Sequence, residues 1–251
     1  MQGFPCKGKR QTSAEASLIR WRPVSQGAVL PTRVHASTIP SGIPSLPTRP
    51  LSEEEIIRGL KEALSKGADD ASSKASKVDA FQKNLAIKIL WPEDAKKIES
   101  KLRQLGMNQL CDDFILSMNR AAEEASKKAA PIFMDAIKNM SVKDALGILK
   151  GNDHAATDYL KNATTSALTQ AFRPEIDAAL QKVNATKYWG EISSVYNKIP
   201  FTQPVNTNLT DFVTEKAIQG LFVFVAEKEA AIRNNPVERT SELLKRVFQK
   251  P

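Results

Sequence analysis

Residues 52–68 read SEEEIIRGLKEALSKGA, and this stretch decides the class of the fold. Ser52, followed three residues later by Glu55, forms the capping box that begins many α-helices. The apolar residues after it recur on one helical face, as an amphipathic helix over about residues 53–75 requires. These residues are Ile56, Ile57, Leu60, Ala63, Leu64 and Ala68.

Helical patterns of the same kind continue to the end of the chain. The segment 72–94 is ambiguous: Ala86–Ile89 alternates like a short strand, but Pro92 ends it, and we predict a packed loop. A second loop is predicted at residues 199–208, which hold two prolines and two asparagines. No period of roughly 30–50 residues repeats, so a solenoid is excluded. We predict an all-α fold, a single compact orthogonal bundle of about eight to nine helices over residues 51–251. The further helices are predicted at 94–105, 108–130, 131–139, 142–150, 154–172, from Pro174 onward, 188–196, 209–234 and 236–248, with N-terminal caps at Asn108, Ser141, Asp153 and Asn235 and closing glycines at Gly106 and Gly151.

Residues 1–50 show no such pattern. They hold seven of the 36 Lys and Arg, one of the 28 acidic residues and seven of the fourteen prolines. A segment of this composition buries too little apolar surface to fold alone, and we predict a disordered N-terminal leader. Two interpretations stay open. The leader is an organelle transit peptide for a plastid or mitochondrion, processed after Val34-His35-Ala36, or it is a disordered segment that carries no address or whose start is not the native one.

The net charge of +8 suggests a nucleic-acid partner until its distribution is considered. Residues 1–50 carry six of these units, and the rest of the chain has 29 bases against 27 acids. We therefore expect no nucleic-acid partner. Six acid–base pairs at i,i+4 are interpreted as solvated surface pairs. They are Glu62/Lys66, Glu99/Arg103, Glu123/Lys127, Glu124/Lys128, Glu229/Arg233 and Glu242/Arg246.

Residues that carry chemistry are scarce in this chain. Two His and two Cys are too few for a zinc finger or a multi-histidine metal site. We expect His154 to be exposed in the first turn of a helix and Cys111 to be a buried core thiol. The longest apolar run, LFVFVA at Leu221–Ala226, is far below the ~20 residues of a membrane-spanning helix. We predict a soluble protein that is not an enzyme, with no catalytic residue, no cofactor, no metal and no transmembrane segment.

Four blocks of the sequence resemble one known family. They are DDFILSMNRAAEEA (Asp112–Ala125), DALGILKGNDHAATDYL (Asp144–Leu160), AFRPEI (Ala171–Ile176) and DFVTEKAIQGLFVFVAEKEAAIRNNPVERTSELLKRVF (Asp211–Phe248). Over residues 51–249 the chain closely resembles the bacterial domain of unknown function 4197. The resemblance implies an all-helical single domain, an export signal and a periplasmic location, and it implies no activity. The basic leader departs from an apolar export signal, so a periplasmic or exported location is the alternative to an organelle.

Two classes of function are compatible with this sequence. The first is a non-catalytic helical protein that binds an unknown protein partner or serves as a scaffold. Asn119, Arg120, Arg173 and Arg233 are its candidate polar residues, either as buried anchors for helix ends or as a contact surface. The second is a binder of a small apolar molecule or lipid, whose cavity lies between helices that carry Tyr188, Trp189, Phe212, Phe222 and Phe224. We predict no cavity above roughly 300 Å³ with convergent polar groups near those rings.

Overall fold

Nine α-helices make up the part of the chain that the structure, a computed structural model, describes: residues 51–198, 204–206, 208–239 and 241–248. The predicted all-α fold is confirmed over these ranges. The predicted leader at residues 1–50, with its processing point, lies outside the described residues. The helices are α1 (Glu53–Ala75), α2 (Lys96–Gln104), α3 (Asn108–Ser126), α4 (Ala129–Lys138), α5 (Val142–Lys150), α6 (Ala155–Lys182), α7 (Ala185–Tyr196), α8 (Leu209–Asn234) and α9 (Glu242–Val247).

The predicted helix caps at Ser52 and Ser141 are confirmed. The Glu55 N–H donates to Ser52 Oγ at 3.2 Å, and the Ser52 N–H donates to Glu55 Oε2 at 2.9 Å. Ser141 and Asp144 form the same reciprocal box at the start of α5. Each box satisfies donors that a helix start leaves without an intrahelical acceptor.

Helix α8 occupies the centre of the fold and packs along α1, α3 and α6. Its buried residues surround the helix on several sides and include Val213, Ala217, Leu221, Phe224 and Ile232. Burying side chains of this kind stabilises a fold by about 1.5–3 kcal/mol for each larger one. No helix within the described ranges is both long enough and apolar enough to cross a bilayer.

Helix α6 runs unbroken through Pro174, where the sequence predicts the start of a separate helix. That prediction is wrong. A proline inside a helix costs roughly 3 kcal/mol, because it removes one hydrogen bond and crowds the preceding turn. Burial of an apolar stripe of α6 against α3 and α8 offsets this cost. The stripe continues across Pro174 and each of its side chains is fully buried. The stripe consists of Leu168, Phe172, Ile176 and Leu180.

Several other helix caps and boundaries also differ from the prediction. Helix α3 begins at Asn108 itself, with Met107 as an N-cap that makes no side-chain bond. Helix α4 begins two residues before Pro131, so this proline lies in the first turn. The N–H groups of the first turn have no intrahelical acceptor, and proline therefore costs no hydrogen bond there. Asn235 caps a 3-10 turn at Pro236–Glu238, and α9 is a separate helix. The N-cap of α6 is His154 rather than Asp153, and its side chain makes no capping bond.

Candidate functional site

The side chain of Asn119 on α3 binds the main chain of Ile89, in the segment that precedes α2. Its Oδ1 accepts the Ile89 N–H at 2.9 Å, and its Nδ2 donates to the Ile89 carbonyl at 2.8 Å and to the Ile115 carbonyl at 2.7 Å. The side chain is fully buried. The amide therefore pairs with Ile89 as a neighbouring β-strand would, although no strand forms in the described residues.

One turn further along α3, Glu123 holds the same segment at a second point. Its Oε1 accepts the Phe81 N–H at 3.0 Å, and its Oε2 accepts from Arg120 at 2.6 Å. Arg120 also donates to Asp79 at 2.6 Å. Hydrogen bonds from Lys83 and Arg120 lower the pKa of the Asp79 carboxyl below its ordinary value. Residues 79–89 are thus fixed to α3 by buried or half-buried polar contacts.

The chain from Ile87 to Trp91, which precedes a 3-10 turn at Glu93–Ala95, alternates between buried and exposed residues. Ile87, Ile89 and Trp91 are buried, whereas Leu90 between them is 51% exposed. This alternation is the period of an extended chain that lies on a core. The indole of Trp91 packs 4.6 Å from the Phe114 ring, measured between centroids. The packed loop predicted before Pro92 is confirmed.

A groove of about 640 Å³ lies between residues 86–94 and α8. The wall formed by α8 presents one helical face, with positions four, three and four residues apart. The floor is apolar and the rims carry charged side chains. The residues that line it include Ile89, Trp91, Trp189 and Leu209 on the floor, Phe212, Lys216, Gln219 and Val223 on α8, and Lys88, Leu90, Glu93 and Asp94 on the opposite wall.

This groove contradicts the size limit in the prediction that no cavity above roughly 300 Å³ with convergent polar groups lies near the aromatic residues. Two of the five residues named for such a cavity, Trp189 and Phe212, line it. The other three lie elsewhere: Tyr188 is half-exposed, and Phe222 and Phe224 belong to the core. The prediction was wrong because the size of the groove depends on the distance between residues 86–94 and α8. Asn119 on α3 fixes the position of Ile89 in that segment, and the sequence alone does not show this contact.

The charges of the groove are arranged unevenly. No carboxylate of the described chain lies within ion-pair distance of Lys88 or Lys216, and the Lys216 ammonium lies 5.9 Å from the centroid of the Phe212 ring. At the other end, Asp94 Oδ2 accepts the N–H of Asn206 at 3.0 Å. The groove therefore offers ammonium groups along its length and carboxylates at one end.

A second buried polar cluster joins α8 to the start of α6. Glu229 accepts the main-chain N–H of Ala156 at 3.0 Å, the N–H of Thr157 at 2.8 Å and the Thr157 hydroxyl at 2.7 Å. Arg233 donates to Glu229 at 2.8 Å and to the Ile148 carbonyl at 3.0 Å. Glu229 thus supplies the cap that the sequence assigned to Asp153.

The candidate polar residues fall into two groups. Asn119 and Arg233 make the inward contacts described above, whereas Arg120, whose side chain is 39% exposed, pairs with Glu123 and Asp79 at the edge of the buried region. Arg173 lies at the surface, with its side chain 56% exposed, and pairs with Asp211 at 2.9 Å. None of these four residues is among those that line the groove.

Three of the six acid–base pairs interpreted as surface pairs are wrong. Glu124 pairs with Lys127 rather than Lys128, which pairs with Glu175. The other two contain a buried glutamate. Glu123 and Glu229 have side chains only 4% and 5% exposed, and both accept hydrogen bonds from distant main chain. Glu99 and Arg103 do form the predicted i,i+4 pair. A signal for the buried glutamates was present in the sequence, because Glu229 falls on the helical stripe of Val225 and Ile232.

His154 and Cys111 lie as predicted. His154 is exposed at the start of α6, and Cys111 is fully buried on α3. Burial raises the pKa of the Cys111 thiol, which keeps it protonated. Within the described ranges no three His, Cys, Asp or Glu side chains are grouped closely enough to hold one metal ion.

Comparison with known families gives one match. The family described as Protein of unknown function (DUF4197) matches residues 50–249. The chain belongs to this family. Searches of curated proteins and of solved structures gave no match. Membership of the DUF4197 family confirms the resemblance and assigns no activity.

Proposed function

We propose that this protein is a non-catalytic binding protein and that its ligand occupies the groove between residues 86–94 and α8. The observation that carries the proposal is the groove itself, with about 640 Å³ of space, an apolar floor and charged rims. Ligand sites in proteins are typically concave and mostly apolar, with a few polar groups that fix the orientation of the ligand.

The chemistry of the lining residues supports binding rather than catalysis. The described polar residues of the groove are Lys, Glu, Asp, Asn and Gln. The two residues best suited to acid–base or nucleophilic work lie outside it, since His154 is at the surface of α6 and Cys111 is enclosed in the core. Charged rims around an apolar floor suit recognition of a ligand with an apolar body and charged ends.

A segment of a protein partner is the first candidate ligand. The rims favour it, because Lys88, Lys216 and Asp94 lie along the groove and can form ion pairs with a charged chain. A small molecule or lipid is the second candidate. It is favoured by the aromatic rings of Trp189 and Phe212, which offer flat apolar surface.

A fluorescent apolar probe tests the site. We expect 1-anilinonaphthalene-8-sulfonate to bind the full chain and to be displaced when the groove is filled by Gln219→Trp, with affinity lowered about tenfold. The matched control is Gln170→Trp, which places the same indole on the exposed face of α6 and leaves binding unchanged. Equal binding by both variants would show that the probe binds elsewhere and would contradict the proposal.

Native mass spectrometry of the full chain, purified from its source without detergent, separates the two candidates. An adduct of lipid mass that Gln219→Trp loses and Gln170→Trp keeps supports the second candidate. A polypeptide adduct with the same dependence on the two variants supports the first.

A further inference from the structure

The main chain beside the groove has hydrogen-bonding groups that the described part of the protein does not use. In an extended chain, the N–H and C=O of one residue point to the same side, and those of its neighbours point to the other side. Ile89 directs both groups to Asn119 on α3. Leu90 must then direct its N–H and C=O away from α3. Neither group, nor the carbonyl of Lys88, has a hydrogen-bond partner among the described residues.

The side opposite α3 is the side of the groove. Residues 86–94 lie between α3 and α8, because Asn119 of α3 binds Ile89 while a Cβ built at Gly220 of α8 would lie 3.3 Å from Ile87 Cβ. At the other end of the segment, Asn206, close to the start of α8, binds Asp94. The free groups of Leu90 therefore face the space between the segment and α8.

Main-chain groups along an apolar groove are the elements of β-strand addition, in which an extended peptide pairs with an exposed edge. The available edge is short. Pro92 has no N–H, and its carbonyl accepts the Ala95 N–H at 2.9 Å. The N–H of Lys88 is used by the Asn84 carbonyl at 2.8 Å. Among the described residues, this leaves neither main-chain group of Leu90 bonded, as the hydrogen-bonded position of an antiparallel pair requires.

We infer that the groove binds an extended segment of a partner protein by strand addition at Leu90. The inference rests on the proposed function and names the chemistry of the ligand. One residue of the bound segment exchanges two main-chain hydrogen bonds with Leu90. Every second side chain of the segment points to the floor of the groove, at Trp91 and Trp189. Acidic side chains of the segment pair with Lys88 and Lys216.

A peptide library provides the test. A phage-displayed library of random dodecapeptides is selected on the immobilised full chain, and the selected peptides are synthesised. We expect apolar residues at alternate positions with an acidic residue beside them. Leu90→Pro removes the N–H that pairs with the peptide, and we expect about tenfold weaker peptide binding. Leu90→Ala keeps the N–H and is the matched control, with less than about a threefold loss.

Two further measurements keep the inference falsifiable if Leu90→Pro disturbs the fold. In peptides methylated at one main-chain nitrogen at a time, binding should fall only at the nitrogen that donates to the Leu90 carbonyl and at the one two residues away that faces the Lys88 carbonyl, whereas side-chain recognition alone gives no such pair of positions. Both Leu90 variants lack the leucine side chain that lines the groove, so binding of the naphthalene sulfonate probe should change by the same factor in the two if both are folded. If the probe binds and no peptide does, or if peptides bind Leu90→Pro like the unmodified chain, the inference is wrong while the proposed function stands. If the unmodified chain binds neither the probe nor any peptide, both the inference and the proposed function are wrong.

Discussion

Replacing Glu229 by alanine tests the polar cluster that joins α8 to α6. The substitution leaves the N–H groups of Ala156 and Thr157 buried without an acceptor, and each such donor costs about 1–3 kcal/mol. It also leaves the Arg233 guanidinium, whose side chain is 13% exposed, without its carboxylate. Removing one partner of a buried ion pair costs about 3–5 kcal/mol. Because these costs overlap, we expect a loss of about 4 kcal/mol in the free energy of unfolding.

Urea denaturation followed by far-ultraviolet circular dichroism measures this loss. With a slope of about 2 kcal/mol per molar urea, the midpoint for Glu229→Ala should fall by about 2 M. The control is Glu227→Ala, two residues earlier on α8. Glu227 pairs with Lys74 at the surface, with side chains 47% and 50% exposed, and such pairs contribute at most about 1 kcal/mol. If the two variants lower the midpoint equally, Glu229 is not the cap of α6 and the reasoning fails.

Three other tests of the fold use four substitutions, one of them a control. Asn119→Ala leaves the N–H and the carbonyl of Ile89 without their partner, and the free energy of unfolding measured in urea should fall by about 2–4 kcal/mol. A midpoint like that of the unmodified chain would contradict this role. Gly220→Ala places a Cβ against the ring of Phe81 and should cost about 1–3 kcal/mol, whereas Gly147→Ala meets open space and should gain about 0.5–1 kcal/mol; thermal melts with shifts of the same sign would refute the difference. Hydrogen bonds from Lys83 and Arg120 lower the pKa of the Asp79 carboxyl below 3.8, its value in an unfolded chain. The stability that this carboxylate contributes is therefore present above pH 3.8 and is lost as the pH falls through the lowered pKa. The stability difference between the unmodified chain and Asp79→Asn should therefore shrink on acidification, and a difference independent of pH would contradict the assignment.

The helices follow from local signals in the sequence. The box of Ser52 and Glu55 begins α1 where predicted, and α8 spans Leu209–Asn234 as its apolar period indicates. Gly106, with a φ of +83°, lies directly after α2, as a closing glycine should. Such features depend on residues a few positions apart, so a single sequence contains them.

The groove and the polar anchors depend on residues far apart in the chain. Asn119 binds a residue 30 positions away, and Glu229 binds residues more than 70 positions away. A glutamate four residues before an arginine looks the same in sequence whether the pair is solvated or buried. Pro174 shows the same limit, because tertiary packing of the stripe around it outweighs its local preference to end a helix.

The cap on α6 has a consequence for the order in which the chain folds. The donors at Ala156 and Thr157 find their acceptor only after residue 229 has been synthesised, so the first turn of α6 is left uncapped in any chain that ends earlier. Contacts of this sequence separation are slow to form, because a long loop must close first. The start of α6 should therefore become ordered late, together with the docking of α8, rather than when its own residues leave the ribosome.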